Sequence, residues 1–303
     1  MKIIFAGTSE FGIPTLEKIK DQLILIITRP DKPAGRDKKI TAPPIKLWAQ
    51  KNNIPFAQPE KLLTTHDQLQ TLQPDLLLVA AYGQIISKEI LDIPKFGSIN
   101  IHGSILPKYR GASPIQSAIL NGDPQTGITL LKMDEKMDHG PIIATKTIAI
   151  DGTDSFSSLY KKMSLLAADL VLETLPKWFA GEIKPIEQNH EQATFTKLLA
   201  REDGKIDWAQ PAVEIERKIR AFNPEPGTWT KLQDKTIKIL EVGILSDHKI
   251  ELPGKLYTHD GQLVVKCLDN GLIIKKLKPE GRNEMSGRDF LNGLRDFKSR
   301  IFI

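Results

Sequence analysis

A chain of 303 residues has room for one large domain or two ordinary ones, with a sizeable core. Apolar content of 40% and charged content of 26% fit a globular chain and exclude a disordered or fibrous one. Net charge is a modest +5, and no apolar run approaches the length needed to span a bilayer, so no membrane association is expected.

MKIIFAGTSEFG resembles a targeting signal for only a few residues, because acidic Glu10 follows with no small-residue cleavage site. Lys2 to Ala6 is therefore expected to be the first strand. Thr8 or Ser9 would cap a helix with apolar spacing over Ile13 to Ile19. Leu23 to Thr28 predicts a second strand. The next segment, Arg29 to Lys39, holds five cations and two acids. Pro30, Pro33, Pro43 and Pro44 argue against regular structure in this basic stretch, whose charge suggests an anionic partner. A helix is expected over Ile45 to Lys51. Asp75 to Ala81 is a continuous apolar strand of the kind buried on both faces, and Ser98 to His102 is the next. Ser113 and Pro114 open a helix that Asn121-Gly122 ends. Thr129 to Met133 is a further strand, and Ser155 to Phe179 a long helix. Strands alternating with helices predict a Rossmann-like, parallel α/β sheet. The first turn, Gly7 to Gly12, lacks both G-x-G-x-x-G and GK[ST], so no nucleotide cofactor is expected and the glycines are assigned to turn and packing.

Glu182 to Arg201 is polar and without period, and reads as a linker. From KIDW (Lys205 to Trp208) the pattern changes. A helix bearing Val213, Ile215 and Ile219 precedes short strands at Thr236 to Val242, Lys255 to Thr258, Gln262 to Cys267 and Leu272 to Leu277. Asp260-Gly261 and Asn270-Gly271 are hairpin signals, so a small OB-like β-barrel is expected, with a last helix over Ser286 to Phe297. The division is thus 1–186 for a catalytic domain, 187–203 for a linker and 204–303 for the barrel. The single cysteine, Cys267, excludes an internal disulfide framework and suggests a reducing, cytoplasmic setting.

The stretch Ile99 to Gly111, INIHGSILPKYRG, carries the chemistry. On a strand, Asn100 and His102 project from the same face, at the carboxyl end where open α/β sheets bind ligands. Asp138, in the turn Met137 to Pro141, follows the next strand. A carboxylate beside an imidazole orients it as a base, and an amide can donate to a developing oxyanion. Together the three suit attack of a neutral amine on a carbonyl. Each also has an ordinary use, as a structural histidine, a strand-end amide satisfying backbone and a turn carboxylate. His139 reads as a surface turn residue. The six histidines form no H-E-x-x-H, no C-x-x-C is present, and there is no G-x-S-x-G elbow, so neither a metal site nor a serine nucleophile is expected.

NIHGSILPKYRGASPIQSAILNGDPQTGIT followed by MDHGPI resembles the signature of the 10-formyltetrahydrofolate-dependent formyltransferase family. AGTSEFGIPTLEKI, RPDKPAGRDKK, VAAYGQIIS, KIDW, IRAFNPEPGTW and MSGRDFLNG extend the resemblance along nearly the whole chain. The PAGR loop and the C-terminal domain narrow it to the tRNA-acting members. The resemblance implies formyl transfer from 10-formyltetrahydrofolate, as co-substrate, to the α-amine of methionyl-initiator-tRNA, with no obligate protein partner. It places the essential residues at Asn100, His102 and Asp138. It implies that Ser104, Ile105, Leu106 and Pro107, with backbone at Ala81, Tyr82 and Gly83, hold the folate. Arg36, Lys38 and Lys39 would meet tRNA. His139 and Glu225 depart from the residues common in the family. Rival readings are a formyltransferase for an amino-sugar nucleotide, which would not need the cationic loop, and an RNA-binding module with a degenerate catalytic domain.

Overall fold

Apolar runs become strands in order along the chain, across a structure that is a computed structural model describing residues 1–34, 39–246, 252–294 and 300–303. The chain separates into two units. One comprises Met1–Pro114, Gln125–Ala149 and Tyr160–Thr196, and the other Ile115–Pro124, Ile150–Leu159 and Lys197–Ile303. Strands up to residue 196 are β1 (Ile3–Gly7), β2 (Leu23–Ile27), β3 (Lys32–Ala34), β4 (Lys39–Thr41), β5 (Phe56–Ala57), β6 (Leu76–Ala80), β7 (Ser98–His102), β8 (Arg110–Gly111), β9 (Gln125–Lys132), β10 (Ile142–Ala149) and β11 (Phe195–Thr196). The helices among them are α1 (Ile13–Ile19), α2 (Pro44–Lys51), α3 (His66–Leu72), α4 (Lys88–Leu91), α5 (Pro114–Asn121) and α6 (Phe156–Phe179).

The main sheet runs β10-β9-β7-β6-β1-β2-β5. From β5 to β7 every pairing is parallel. The central strands β1 and β6 are buried at every residue, as their unbroken apolar runs require. On one face Ile4, Ala6, Leu25, Ile27, Leu77 and Val79 form a core with Leu62, Leu69, Ile86 and Ile90. A Cβ on Gly7 would meet the Phe5 ring at 2.6 Å, and one on Gly12 would meet it at 2.5 Å, so both glycines admit that ring. The sheet is mostly parallel rather than wholly so. Strand β9 lies antiparallel to β7, and β10 antiparallel to β9. Residues 133–141 between β9 and β10 are too few for a crossover, which forces the second reversal.

Two local expectations fail for identifiable reasons. Neither Thr8 nor Ser9 caps a helix with its side chain. Instead the Thr8 hydroxyl donates to the Tyr82 carbonyl at 2.9 Å, tying the loop after β1 to the loop after β6. The basic stretch is also not free of regular structure: β3 and β4 pair antiparallel, with Pro33 opposite Ile40. A two-stranded ribbon has only edges, so a proline can sit with its nitrogen facing away from its partner.

In the second unit, α7 (Ala212–Phe222) buries Ala212, Ile215 and Ile219, while Val213 is 39% exposed and turns away from the core. The strands are β12 (Thr228–Leu232), β13 (Lys235–Leu245), β14 (Leu256–His259), β15 (Gln262–Lys266), β16 (Gly271–Pro279) and β17 (Met285–Ser286), followed by α8 (Gly287–Asn292). They form an antiparallel sheet in the order β12-β13-β16-β15-β14, with β17 on β16. Asp260 and Gly261, both at positive φ, turn β14 into β15 as predicted. Strand β12 has no counterpart in the expected set. The chain end lies between the two outer strands: Leu232 bridges Phe302, and Lys255 bridges Ile301. Lys231 and Ile303 exchange backbone hydrogen bonds at 2.8 and 2.9 Å, and Phe302 donates to Gly254 at 2.9 Å. This tail joins the sheet's edges into the closed form expected of a small barrel. The expected last helix continued to Phe297, but residues 295–299 lie outside those described. Among the described residues no helix is long and apolar enough to cross a membrane.

Cys267 sits in this core, fully buried. Burial, helped by nearby Asp269, pushes its thiol up to about 12. Since only the thiolate is nucleophilic, iodoacetamide at about pH 8 is expected to leave Cys267 unmodified in native protein and to modify it fully in urea, as read by mass spectrometry. Rapid labelling of native protein would contradict this burial.

Candidate active site

Strand β7 ends beside β6 on one side and β9 on the other, with Asn100 opposite Val79 and Leu131, and His102 opposite Thr129. The strand's two-residue period puts both polar side chains on one face. The turn from β9 to β10 brings Asp138 to the same place, with φ +49. Gly140 makes that turn possible, because a Cβ there would land on the Lys132 carbonyl oxygen.

The three groups are in contact. Asn100 Nδ2 donates to Asp138 Oδ1 at 3.0 Å. His102 Nδ1 lies 3.5 Å from the same oxygen, and the two side chains are 5% and 10% exposed. Asp138 Oδ2 accepts from the Gly111 backbone N–H at 2.8 Å. His102 Nε2 faces the Tyr109 carbonyl at 2.9 Å. A carbonyl only accepts, so Nε2 is the nitrogen that donates there, and Nδ1 lies on the Asp138 side, where a proton added to it would meet the carboxylate. One amide hydrogen of Asn100 is committed to Asp138, which leaves its partner hydrogen to donate elsewhere. The arrangement thus offers a hydrogen-bond donor, a proton acceptor and a fixed negative charge at a sheet's carboxyl edge.

The expected folate residues fall into two groups. Ser104 and Leu106 are buried. The Ser104 hydroxyl donates to the Lys108 carbonyl at 2.6 Å, and the Thr129 hydroxyl donates to the Ser104 carbonyl at 2.7 Å while accepting from Leu106 N–H at 3.2 Å. Those two residues hold the loop rather than present side chains, whereas Ile105 and Pro107 are half-buried. At the end of β6, Ala81 and Gly83 are exposed at φ +46 and +75, next to the end of β7. Between them Tyr82 is buried, and burial pushes its hydroxyl up to about 12 against the opposing effect of Arg29. Of the basic residues expected to meet tRNA, Lys39 is exposed at the start of β4. Arg36 and Lys38 lie outside the described residues.

Sequence reasoning missed a group beneath the site. Arg110 and Gln188 are buried, at 3% and 5% exposure. His139 is not a plain surface turn residue. Its Nδ1 faces Asp134 Oδ2 at 2.6 Å, and its ring stacks on His190 with centroids 4.1 Å apart. His190 Nδ1 in turn accepts from Arg110 Nη2 at 2.8 Å. Gln188, His190 and β11 all come from the stretch expected to be a linker.

Comparison with known proteins agrees with this architecture. Residues 1–175 match the formyl transferase family and residues 198–295 the formyl transferase C-terminal domain. A methionyl-tRNA formyltransferase of Myxococcus xanthus is 39% identical over 96% of this chain and 95% of its own. One from a Hydrogenobaculum strain is 40% identical over 97% of both. Among solved structures, an N-formyltransferase from Helicobacter canadensis, in complex with folinic acid and dTDP-3-aminofucose, superposes with a TM-score of 0.66. It is 19% identical and covers 90% of this chain and 98% of its own. WlaRD, a sugar 3N-formyl transferase, gives a TM-score of 0.65 at 21% identity, covering 93% and 99%. These distant structures share the fold, while the near-complete sequence matches go further: the chain belongs to the methionyl-tRNA formyltransferase family.

Proposed function

We propose that the protein transfers the formyl group of 10-formyltetrahydrofolate to the α-amino group of methionyl-initiator-tRNA, in the cytoplasm, through Asn100, His102 and Asp138. The observation that carries this reading is the meeting of an amide donor, an imidazole and a carboxylate at the end of β7. The neutral amine attacks the formyl carbon, a C–N bond forms, and the carbonyl becomes an oxyanion. The uncommitted amide hydrogen of Asn100 donates to that oxyanion. His102 takes the amine's proton at Nδ1, and Asp138, 3.5 Å away, stabilises the resulting imidazolium. Collapse breaks the bond to N10, which receives the proton from His102. One proton therefore moves from the amine to the leaving tetrahydrofolate, with no covalent enzyme intermediate.

Exposed backbone at Ala81 and Gly83, together with Ile105 and Pro107, supports a folate seat next to these groups. The basic stretch of sequence that includes Arg36, Lys38 and Lys39, with the barrel from 204 onward, would meet tRNA. Residues 1–186 then supply the chemistry. The connecting stretch 187–203 does more than link, since part of it contacts the site. The test is a competition in which formyl donor is supplied with charged initiator tRNA and with amino-sugar nucleotides. Formylation of the tRNA alone is the expected result. Exclusive modification of the sugar would move the protein to the second reading.

A further inference from the structure

We propose that Gln188 and Arg110 act as positioning residues that hold Asp138 in its working geometry, an inference that rests on the role for Asp138 given above. The Gln188 side-chain amide donates to the carbonyls of Asp138 at 2.9 Å and Gly140 at 2.7 Å, bracketing the turn that carries the carboxylate. Its amide oxygen accepts from Arg110 Nε at 3.1 Å and Nη2 at 2.7 Å. Arg110 immediately precedes Gly111, whose N–H holds Asp138 Oδ2 at 2.8 Å. Asp138 is thus gripped through its backbone by Gln188 and through its carboxylate by the residue after Arg110.

Neighbouring contacts fix the brace itself. Strand β8 pairs with β11. Arg110 N–H donates to the Thr194 carbonyl and Tyr109 N–H to the Thr194 hydroxyl, each at 2.8 Å. The Thr196 hydroxyl donates to the Arg110 carbonyl at 3.1 Å. The same short loop carries the Tyr109 carbonyl that sets the His102 tautomer. A buried arginine and glutamine demand partners: here Arg110 donates to Gln188 and to His190, and Gln188 aims its two N–H donors at the turn. The turn needs restraint, because Asp138 sits at φ +49, where a non-glycine residue is strained. Loss of the two Gln188 donors frees the turn to relax, and a misplacement of about 1 Å costs up to ~10²-fold in rate.

The test uses the full-length protein, with Gln188→Leu and Gln188→Glu each made alone and with Asp138→Asn. Gln188→Glu keeps an acceptor for Arg110 but removes both donors to the turn, so it separates anchoring of Arg110 from positioning of Asp138. It also serves if Gln188→Leu fails to fold, which thermal denaturation will report. Expected is a loss of about 10–100-fold in kcat for both variants, with KM for either substrate changed less than about twofold. Neither substitution should lower turnover further in Asp138→Asn protein, measured at high enzyme concentration, because a residue acting through Asp138 has nothing left to position. The same fold-loss with and without the Asp138 carboxylate would overturn the inference, as would wild-type kcat in Gln188→Glu. If Asp138→Asn alone leaves turnover unchanged, the role of Asp138 itself is wrong and the brace falls with it.

Discussion

Asn100→Ala is expected to lower kcat by about 10²–10³, or roughly 2.7–4 kcal/mol of transition-state stabilisation. The ground-state formyl oxygen is nearly neutral and the tetrahedral oxygen carries a full charge, so a donor aimed there acts mostly on the second. KM for both substrates should therefore stay within about twofold. Asn100 is half-buried at a strand end and donates its side-chain amide to Asp138, so removing that amide should barely move the melting temperature. Steady-state kinetics with charged initiator tRNA and formyl donor, alongside a thermal melt, make the measurement. Unchanged kcat would remove Asn100 from the mechanism. A rise in KM with kcat intact would make it a binding residue instead.

Half of this site was legible in the chain because it depends on local periodicity. The two-residue repeat of a strand places Asn100 and His102 on one face before any coordinates are known, and that is where they lie. Unbroken apolar runs likewise announce β1 and β6. The other half depends on partners remote in sequence. Gln188 sits in a polar stretch with no period, and its donors meet backbone carbonyls 48 and 50 residues away. Backbone acceptors leave no residue-type signature. Nothing next to Arg110 in the sequence marks it as buried, and its burial follows only once Gln188 and His190 arrive. Strand β12 escaped because Thr228–Leu232 is short and follows two prolines and a glycine in close succession, and the closing tail because its partners, Leu232 and Lys255, lie far back in the chain. Pro33 misled in the opposite direction, since a ribbon made only of edges tolerates a residue that a central strand would refuse.

Asp138→Asn should be the more damaging substitution, although it preserves shape. The carboxylate accepts from Asn100 through Oδ1 and from Gly111 through Oδ2, and its charge lies 3.5 Å from His102 Nδ1. An asparagine offers one acceptor and one donor where two acceptors are required, so either the Asn100 amide or the Gly111 N–H must face another donor. The charge that stabilises an imidazolium is lost at the same time. Replacing the carboxylate behind a catalytic histidine costs about 10⁴ in kcat in serine hydrolases, which sets the scale expected here at 10³–10⁴. The decisive comparison is the double variant. If Asp138 works by orienting Asn100 and stabilising protonated His102, then adding Asn100→Ala to Asp138→Asn should cost far less than its effect alone, since residues acting as a unit are not additive. Two losses that simply multiply would mean that the carboxylate and the amide act independently. The contact of 3.0 Å between them would then be a strand-end hydrogen bond without catalytic meaning.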